Sequence, residues 1–360
     1  MHACNLVRVL ALTVICGAVA FAGTMKAGKV TLKSAGPLAF APEGVLLIGD
    51  SAAASIVAVD VNDNKPAKSG TFEVKKLNEK VASMLGTTAD QILINDAIVN
   101  PVSKNVYLSV SRGRGPEATP VILKVDASGK ISEVSLDNAK HASVSLPDAP
   151  SADEKDRRGN SLRSESITDL AYVDGKVIVA GLSNEEFASS LRAIPYPFDE
   201  AKKGAGIEIF HGAHGRFETN APVRTFVSYE IENKPHILAA YTCTPLVRIP
   251  VAELKPGNKV KGQTIAELGN RNRPLDMIVY QKGGKEYILM ANSSRGVMKL
   301  PTANLEQYEA ITAQTDKKGV PYETIASLKG VQQLDKLDDQ NALLLVDDAG
   351  SLDLVTVALP

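Results

Sequence analysis

Apolar residues occur in short runs along most of the chain, and clusters of Gly, Pro, Asn, Asp and Ser separate these runs. Three stretches show the same order of runs, over residues 30–61, 264–301 and 324–357. Each begins with a short apolar run, continues through a turn into a longer run rich in Val, Ile and Leu, and ends after a polar turn with another run. This pattern predicts short β-strands joined by tight turns.

Three further copies of the pattern begin at Asn95, Ile167 and Asn220. Repeats of roughly forty to fifty residues that carry about four short strands each are typical of propeller blades. The sequence therefore predicts an all-β protein that forms a six-bladed β-propeller. A β-sandwich joined to a second, unrelated domain is the alternative fold.

The two ends of the repeat region indicate how the ring closes. The last repeat stops after three strands, in LDLVTVAL over residues 352–359, and one unassigned strand, KVTLK, precedes the first repeat over residues 29–33. Pairing of these two segments would complete the last blade and leave no strand edge open. We therefore expect the mature N-terminal strand to close the ring by joining the last blade.

The phrase LAFAPEGVLLIGDSAAASIVAVD, over residues 38–60, has the form strand, P-x-G turn, strand, polar turn, strand. On this phrase the chain resembles six-bladed propellers of the lactonase and NHL-repeat type, at the level of the superfamily. The resemblance implies architecture and leaves function open. Lactonase-type propellers hold a central divalent ion with Glu, two Asn and Asp. Asn272 and Asn292 are candidates for the two amides, whereas the acidic positions do not match clearly.

The first 22 residues have the features of an export signal. Arg8 precedes an apolar stretch, and Ala20 and Ala22 form an A-x-A cleavage site before Gly23. This pattern predicts a signal peptide over residues 1–22 and a single propeller domain over residues 23–360. We expect a periplasmic or secreted protein with no membrane insertion after cleavage; a retained membrane anchor is the alternative.

Composition narrows the classes of function. The formal net charge is −1 over 360 residues, so no basic excess favours nucleic acid as a partner. Tryptophan is absent and aromatic residues make up 5% of the chain, which argues against an aromatic platform for carbohydrate. Motifs for a serine hydrolase, a c-type haem or a nucleotide enzyme do not occur in the sequence. The sequence therefore assigns no catalytic residues. We expect the protein to be a monomer.

Antiparallel alternation places the second-to-third strand turn of every blade, and the links between blades, on one rim, which we call the upper rim. Arginine side chains on this rim suit carboxylate or phosphate groups. We predict that the channel mouth at this rim binds a small anionic ligand or a periplasmic protein. The alternatives are a metal-dependent hydrolase or lactonase at the same face, with a divalent cation such as calcium as cofactor, and a solvated rim that only caps turns. The candidate residues are Asp50, Arg112, Arg114, Cys243, Arg271, Asn272, Arg273, Asn292 and Arg295.

Two insertions, over residues 137–166 and 183–206, fall in the third blade. The second begins with a capping box at Ser183, and Phe187, Leu191 and Ile194 recur at helical spacing. This spacing predicts a short amphipathic helix that lies over the channel mouth as a partial lid.

The remaining candidates are histidines and one thiol. His211 and His214 form an H-x-x-H motif, and His236 lies in the next blade; three imidazoles can hold zinc or copper. The sequence does not identify a carboxylate that would orient these rings, so we assign no metal ligand. Cys243 is the one cysteine outside the leader. It is predicted to be a buried turn residue, or a reactive thiol whose pKa the arginines of the mouth would lower.

Overall fold

The computed structural model describes residues 25–243 and 245–360, so the predicted signal peptide lies outside the described residues. Within them, no helix is long and apolar enough to cross a membrane. One α-helix, α1 (Leu77–Leu85), and seven short 3-10 helices accompany the strands. The 3-10 helices are Pro42–Gly44, Ala89–Gln91, Gly115–Glu117, Arg163–Glu165, Gly212–His214, Val251–Glu253 and Leu305–Gln307.

The strands of the described residues, in chain order, are β1 (Lys26–Gly28), β2 (Leu38–Ala41), β3 (Val45–Asp50), β4 (Ser55–Asp60), β5 (Glu73–Val74), β6 (Ile92–Val99), β7 (Val106–Arg112), β8 (Thr119–Val125), β9 (Ile131–Glu133), β10 (Ala139–Ser145), β11 (Asp169–Val173), β12 (Lys176–Leu182), β13 (Ser189–Pro195), β14 (Ala205–His211), β15 (Arg216–Glu218), β16 (Thr225–Ile231), β17 (Lys234–Ala240), β18 (Pro245–Pro250), β19 (Lys259–Lys261), β20 (Gln263–Leu268), β21 (Pro274–Lys282), β22 (Lys285–Asn292), β23 (Gly296–Pro301), β24 (Lys317–Gly319), β25 (Glu323–Thr324), β26 (Val331–Lys336), β27 (Asn341–Asp348) and β28 (Ser351–Ala358).

These strands form six sheets, which are the six blades of a β-propeller, and the predicted fold is confirmed. We number the blades by the chain order of their innermost strands. From the axis outward, the blades are β2–β3–β4–β10–β1, β6–β7–β8–β9, β11–β12–β13–β14–β15, β16–β17–β18–β20–β24, β21–β22–β23–β25 and β26–β27–β28–β5.

The second strand of each blade contains a buried apolar run because both of its faces are covered by neighbouring blades. In β3, the sequence VLLIGD is buried at all six positions. Leu47 of this strand packs with Val177 and Val179 of blade 3, whereas Leu46 packs with Tyr107 and Ile122 of blade 2. A strand covered on both faces reads as a continuous apolar run, which explains the repeating pattern in the sequence.

The blades do not follow the chain order around the ring. The innermost strand of blade 1, β2, contacts both β6 of blade 2 and β11 of blade 3, and β6 contacts β26 of blade 6. The other contacts between innermost strands join β11 to β16, β16 to β21 and β21 to β26. The order around the ring is therefore 1, 3, 4, 5, 6, 2, with the first two blades of the chain exchanged.

The exchange requires a link from blade 1 to the far side of blade 2, and residues 61–72 supply it. Asp63 fixes this link to blade 2, since its carboxylate accepts hydrogen bonds from Ser103 Oγ at 2.8 Å, Tyr107 Oη at 2.8 Å and Asn105 Nδ2 at 2.9 Å. Burial opposes ionisation of this carboxyl group, but the three donors outweigh it and lower the pKa of Asp63. The segment DVNDN is therefore a structural tether.

The prediction that the N-terminal strand joins the last blade is wrong. Strand β1 lies at the outer edge of blade 1, where Lys26 pairs with His141 of β10. The outer position of blade 6 is taken by β5, whose Val74 pairs with Leu354 of β28. The ring is thus closed by an internal segment, because the link that passes blade 2 delivers β5 to the edge of the last blade.

Both predicted insertions contain strands of the propeller. The predicted lid helix is wrong: residues 189–195 form β13, the third strand of blade 3, which pairs with β12 along its whole length. Leu191 and Ile194 are buried between blades, so their spacing reflects a strand covered on both faces. In the first insertion, residues 139–145 form β10, the fourth strand of blade 1.

Removal of residues 1–28 is expected to lower the free energy of unfolding by less than about 1 kcal/mol, because β1 is a three-residue edge strand with exposed Lys26 and Ala27. Urea denaturation followed by circular dichroism measures this. Leu77→Ala is the comparison, since Leu77 in α1 is fully buried against Leu354, and it should cost about 3 kcal/mol. A truncated chain that loses more stability than Leu77→Ala would show that β1 does hold the ring.

Candidate functional site

The innermost strands surround a central channel with a volume of about 640 Å³. Four aspartates, one each from blades 2, 3, 5 and 6, project into it from equivalent places on these strands; they are Asp96, Asp169, Asp276 and Asp335. A concave site where several blades converge is the usual place for a ligand in this kind of fold. The channel is therefore the first candidate for a functional site.

Each of the four carboxylates connects two blades. One oxygen accepts the N–H of the following residue, and the other accepts an N–H from the innermost strand of the adjacent blade. Asp96 binds Leu38 N–H of blade 1 at 2.7 Å, and Asp335 binds Val99 N–H of blade 2 at 2.7 Å. The other two aspartates make the same bond to Leu334 N–H at 2.9 Å and Phe226 N–H at 2.8 Å. Four of the six junctions in the ring are joined in this way, all in the same direction.

Burial sets the charge of this group. It raises the pKa of Asp96 and Asp169 to about 7 and that of Asp335 to about 6, although two backbone N–H donors on each carboxylate oppose the rise. Burial and the neighbouring charge of Asp96 also hold the pKa of Asp276 well above its usual range. The middle of the channel consequently carries only part of its formal negative charge near neutral pH.

The upper mouth of the channel is basic. Arg224, which precedes β16, forms an ion pair with Glu165 and donates to Thr242 Oγ1 at 3.3 Å. Arg273, which precedes β21 of the next blade, is held through its backbone, since its N–H donates to Ser293 Oγ at 2.9 Å and its carbonyl accepts Ser293 N–H at 2.9 Å. Arg273 as a whole is exposed, and its guanidinium forms no hydrogen bond or ion pair among the described residues; partial burial and the neighbouring charge of Arg224 lower its pKa.

The structure places the other predicted rim residues on the upper rim, but most of them cap turns. Asp50 is buried, and its carboxylate accepts the N–H groups of Lys33, Ser34 and Ala53, which fixes the entry to blade 1. Arg114 donates to the carbonyl oxygen of Asp90 at 2.8 Å. These side chains are occupied by the backbone of their own blade.

Asn272 and Asn292 are buried and bind each other, with Asn292 Nδ2 donating to Asn272 Oδ1 at 2.8 Å. Asn292 Oδ1 accepts the N–H groups of Ser294 and Arg295, which closes the turn after β22. Neither amide is among the described residues that line the channel. Their contacts are those of turn caps, and the resemblance to a lactonase-type ion site does not extend to this pair.

Three further predicted residues surround the same turn. Arg295 donates to the carbonyl oxygen of Asn270 at 2.9 Å, and Arg271 is exposed. Cys243 is half-buried in a turn with φ of +65°, and its N–H donates to the carbonyl oxygen of Asn272 at 2.7 Å. Arg112 lies in blade 2, at the exposed end of β7. Of the nine predicted residues, Arg273 is the one that lines the channel among the described residues.

None of the four channel aspartates is among the nine candidate residues predicted from the sequence. A signal was present, because an aspartate follows the start of the innermost strand in NDAI, TDLA, LDMI and LDKL. The repeat consists of turns and apolar runs, and a single polar residue within a strand is not part of that pattern. The inward direction of these side chains follows from alternation along the innermost strands.

The histidine prediction is corrected in two respects. His211 and His214 do meet a carboxylate, Glu218, seven and four residues further along the chain. His236 is not part of this group; it is buried in β17, and its Nδ1 lies 2.8 Å from the carbonyl oxygen of Lys234.

Comparison with known proteins gives likeness of architecture alone. No protein-family model matches the chain, and no curated protein sequence matches it. Among solved structures, it is similar to a glucose dehydrogenase from Thermus thermophilus (12% identity, 92% of this chain and 99% of that one, TM-score 0.37). It is also similar to the PQQ-bound aldose sugar dehydrogenase of Streptomyces coelicolor (11%, 93% and 97%, 0.31) and to Drosophila Plexin A in complex with Semaphorin 1b (9%, 94% and 87%, 0.41). A shared fold does not determine function, which is therefore argued from the residues of this chain.

Proposed function

We propose that the protein binds a small anionic ligand at the upper mouth of the central channel. The observation that carries the proposal is the guanidinium of Arg273, which lines the mouth and has no partner among the described residues. Guanidinium presents a planar set of donors that matches a carboxylate or phosphate. Arg224 lies at the same mouth and supplies a second positive charge, partly neutralised by Glu165.

The channel aspartates below the mouth support a ligand that also carries hydroxyl groups. Each channel aspartate uses its two oxygens for backbone N–H groups, but a carboxylate offers about four lone-pair sites and can accept further bonds. Hydroxyl groups of a ligand can donate to these free sites. An acid that also carries hydroxyl groups, with its carboxylate at Arg273 and its hydroxyls directed into the channel, fits this arrangement best.

Export is part of the proposal. The leader predicted over residues 1–22 supports a location in the periplasm or outside the cell, where such a protein would capture its ligand as a binding protein. A hydrolase with a central metal ion receives less support, because the channel carboxylates do not form a metal-binding group among the described residues.

Gluconate and sorbitol test the proposal, since they share a hydroxylated six-carbon chain and differ in the carboxylate. Isothermal titration is expected to show that gluconate binds the wild-type chain at least about tenfold more tightly than sorbitol. Arg273→Gln should lower gluconate affinity by about tenfold or more, because a charged hydrogen-bonding partner is lost.

Arg271→Gln is the matched control, since Arg271 is exposed two residues away and is not among the described residues that line the channel. This variant should bind gluconate as the wild type does. An equal loss of gluconate affinity in both variants would mean that the positive charge of the rim attracts gluconate without a specific binding site. Equal binding by Arg273→Gln and the wild type would refute the role given to the mouth.

A further inference from the structure

A second group of chemically active side chains lies at the outer edge of blade 3, away from the channel. Strands β14 and β15 form a short hairpin in which His211 pairs with Arg216 and Ile209 pairs with Glu218. Residues two apart along a strand project from the same face, so Glu218 is the diagonal neighbour of His211. The turn between the strands is the 3-10 helix Gly212–His214, which returns the second imidazole to the same face.

The three side chains converge closely. Nδ1 of His211 lies 2.9 Å from one oxygen of Glu218, and Nδ1 of His214 lies 2.7 Å from the other. One potential ligand atom from each residue lies within 4.8 Å of the other two, and these three form the one such group among the described residues. The two imidazole rings are in contact, with centroids 3.9 Å apart.

Two buried atoms beside this cluster lack partners in the described part of the chain. Nε2 of His211 is one, in a residue that is only 3% exposed. Oε2 of Glu267 is the other; this carboxylate is 1% exposed and binds the N–H of Gly212, the residue after His211, through its other oxygen. Buried polar atoms without partners are uncommon, and those at functional sites are often completed by an ion or water.

We propose that His211, His214 and Glu218 bind Zn²⁺. Two imidazole nitrogens and one carboxylate oxygen are ligands of zinc, and three protein ligands leave a fourth position for water or a substrate. Neighbouring ligand atoms around tetrahedral zinc lie about 3.3 Å apart, as bond lengths near 2.0 Å require. The separations of 2.9 and 2.7 Å end on different oxygens of Glu218, so rotation of the carboxylate must bring one oxygen to both imidazoles, and the three ligand atoms already lie within 4.8 Å of one another.

The surroundings favour a cation. Glu218 supplies a carboxylate, and the one nearby positive side chain in the described hairpin, Arg216, is exposed and bound to Glu218 at 3.0 Å. His214 is partly exposed, so zinc can enter the site from solvent, and the fourth coordination position of the zinc can face the solvent. When Nδ1 of His211 binds the metal, its Nε2 carries the proton and becomes a hydrogen-bond donor.

The test uses the purified full chain, stripped with EDTA and titrated with zinc chloride in a calorimeter. We expect one Zn²⁺ per chain and a higher melting temperature with zinc. His214→Gln and Glu218→Gln should each lower zinc affinity at least about tenfold and remove the thermal shift. Both positions lie in a surface hairpin, and circular dichroism verifies that the variants are folded.

His141→Gln is the matched control, because it removes an imidazole from the edge of blade 1 and should leave zinc binding unchanged. The proposal is overturned if the wild type binds no zinc at a ratio of one to one. It is also overturned if His214→Gln binds zinc as tightly as the wild type does. Arg273→Gln should bind zinc normally, so the outcome is independent of the proposed channel ligand.

Discussion

Replacement of Asp148 by alanine is expected to lower the free energy of unfolding by about 3–5 kcal/mol, because it leaves the charge of Arg192 buried without a partner. Both side chains are only 1% exposed, and Asp148 Oδ1 lies 3.0 Å from both Nε and Nη2 of Arg192. The other oxygen of Asp148 accepts the N–H of Gly204 at 2.8 Å. The loss thus affects β13 and the segment that leads into β14. Urea denaturation of the wild type and the variant measures it.

The double variant Asp148→Ala, Arg192→Met distinguishes the buried charge from the lost packing. Because it removes both charges, it should recover part of the stability lost in the single variant. Asp137→Ala is the comparison at the surface, where Asp137 is 82% exposed and pairs with Lys29, and it should cost less than about 1 kcal/mol. A single variant at position 148 that costs no more than this would contradict the importance of the buried pair.

This ion pair also shows why the insertion in blade 3 was misread. Ser183, Phe187, Leu191 and Ile194 satisfy a helical pattern, yet β13 is covered on both faces and holds Arg192 inside the protein. A short apolar run does not distinguish a helix from a doubly covered strand. The partner that makes a buried arginine tolerable is 44 residues away in sequence, so no local pattern predicts it.

The architecture of the blades was predictable, whereas their order around the ring was not. Each second strand contains an apolar run of at least three residues, and this property is local to the sequence. The exchange of blades 1 and 2 depends on the path of residues 61–72 and on the tether at Asp63, whose partners begin 40 residues further along the chain. A two-residue strand such as β5 is too short to produce a sequence signal.

The rim on which the candidate site lies could be predicted from the sequence, whereas the residues that form the site could not. Antiparallel alternation places turns and links on one rim, and this reasoning led to Arg273. It could not separate Arg273, whose guanidinium lines the channel without a partner, from Arg114, which is occupied by the carbonyl oxygen of Asp90. Such a distinction depends on which backbone groups a turn leaves unsatisfied, and this is a property of the folded chain.

The free energy of unfolding is expected to fall by at least about 3 kcal/mol between pH 5 and pH 8, since each unit by which a pKa is raised on folding corresponds to about 1.4 kcal/mol. Burial raises the pKa of Asp96 and Asp169 to about 7 and that of Asp335 to about 6. Burial also raises the pKa of Asp276 well above its usual range and that of Glu267 to about 8. The folded state therefore binds more protons than the unfolded state throughout this interval, and its stability is lost as these groups ionise. The fall is smaller than the sum of the individual shifts because the four channel aspartates are only partly buried where they line the channel.

Urea denaturation at pH 5, 6, 7 and 8 measures the effect, and Asp169→Asn assigns it. The asparagine side chain keeps one acceptor oxygen for the backbone and cannot ionise. The number of protons released on unfolding, which the slope of the unfolding free energy against pH gives, should therefore decrease by up to one. Asp137→Asn, at an exposed carboxylate, should leave the slope unchanged. Stability that is constant or rises between pH 5 and pH 8 would mean that the channel carboxylates are fully ionised and stabilised by their two N–H donors. The four connections between blades would then act as permanent charges, and hydroxyl groups of a ligand would meet full carboxylates throughout the neutral range.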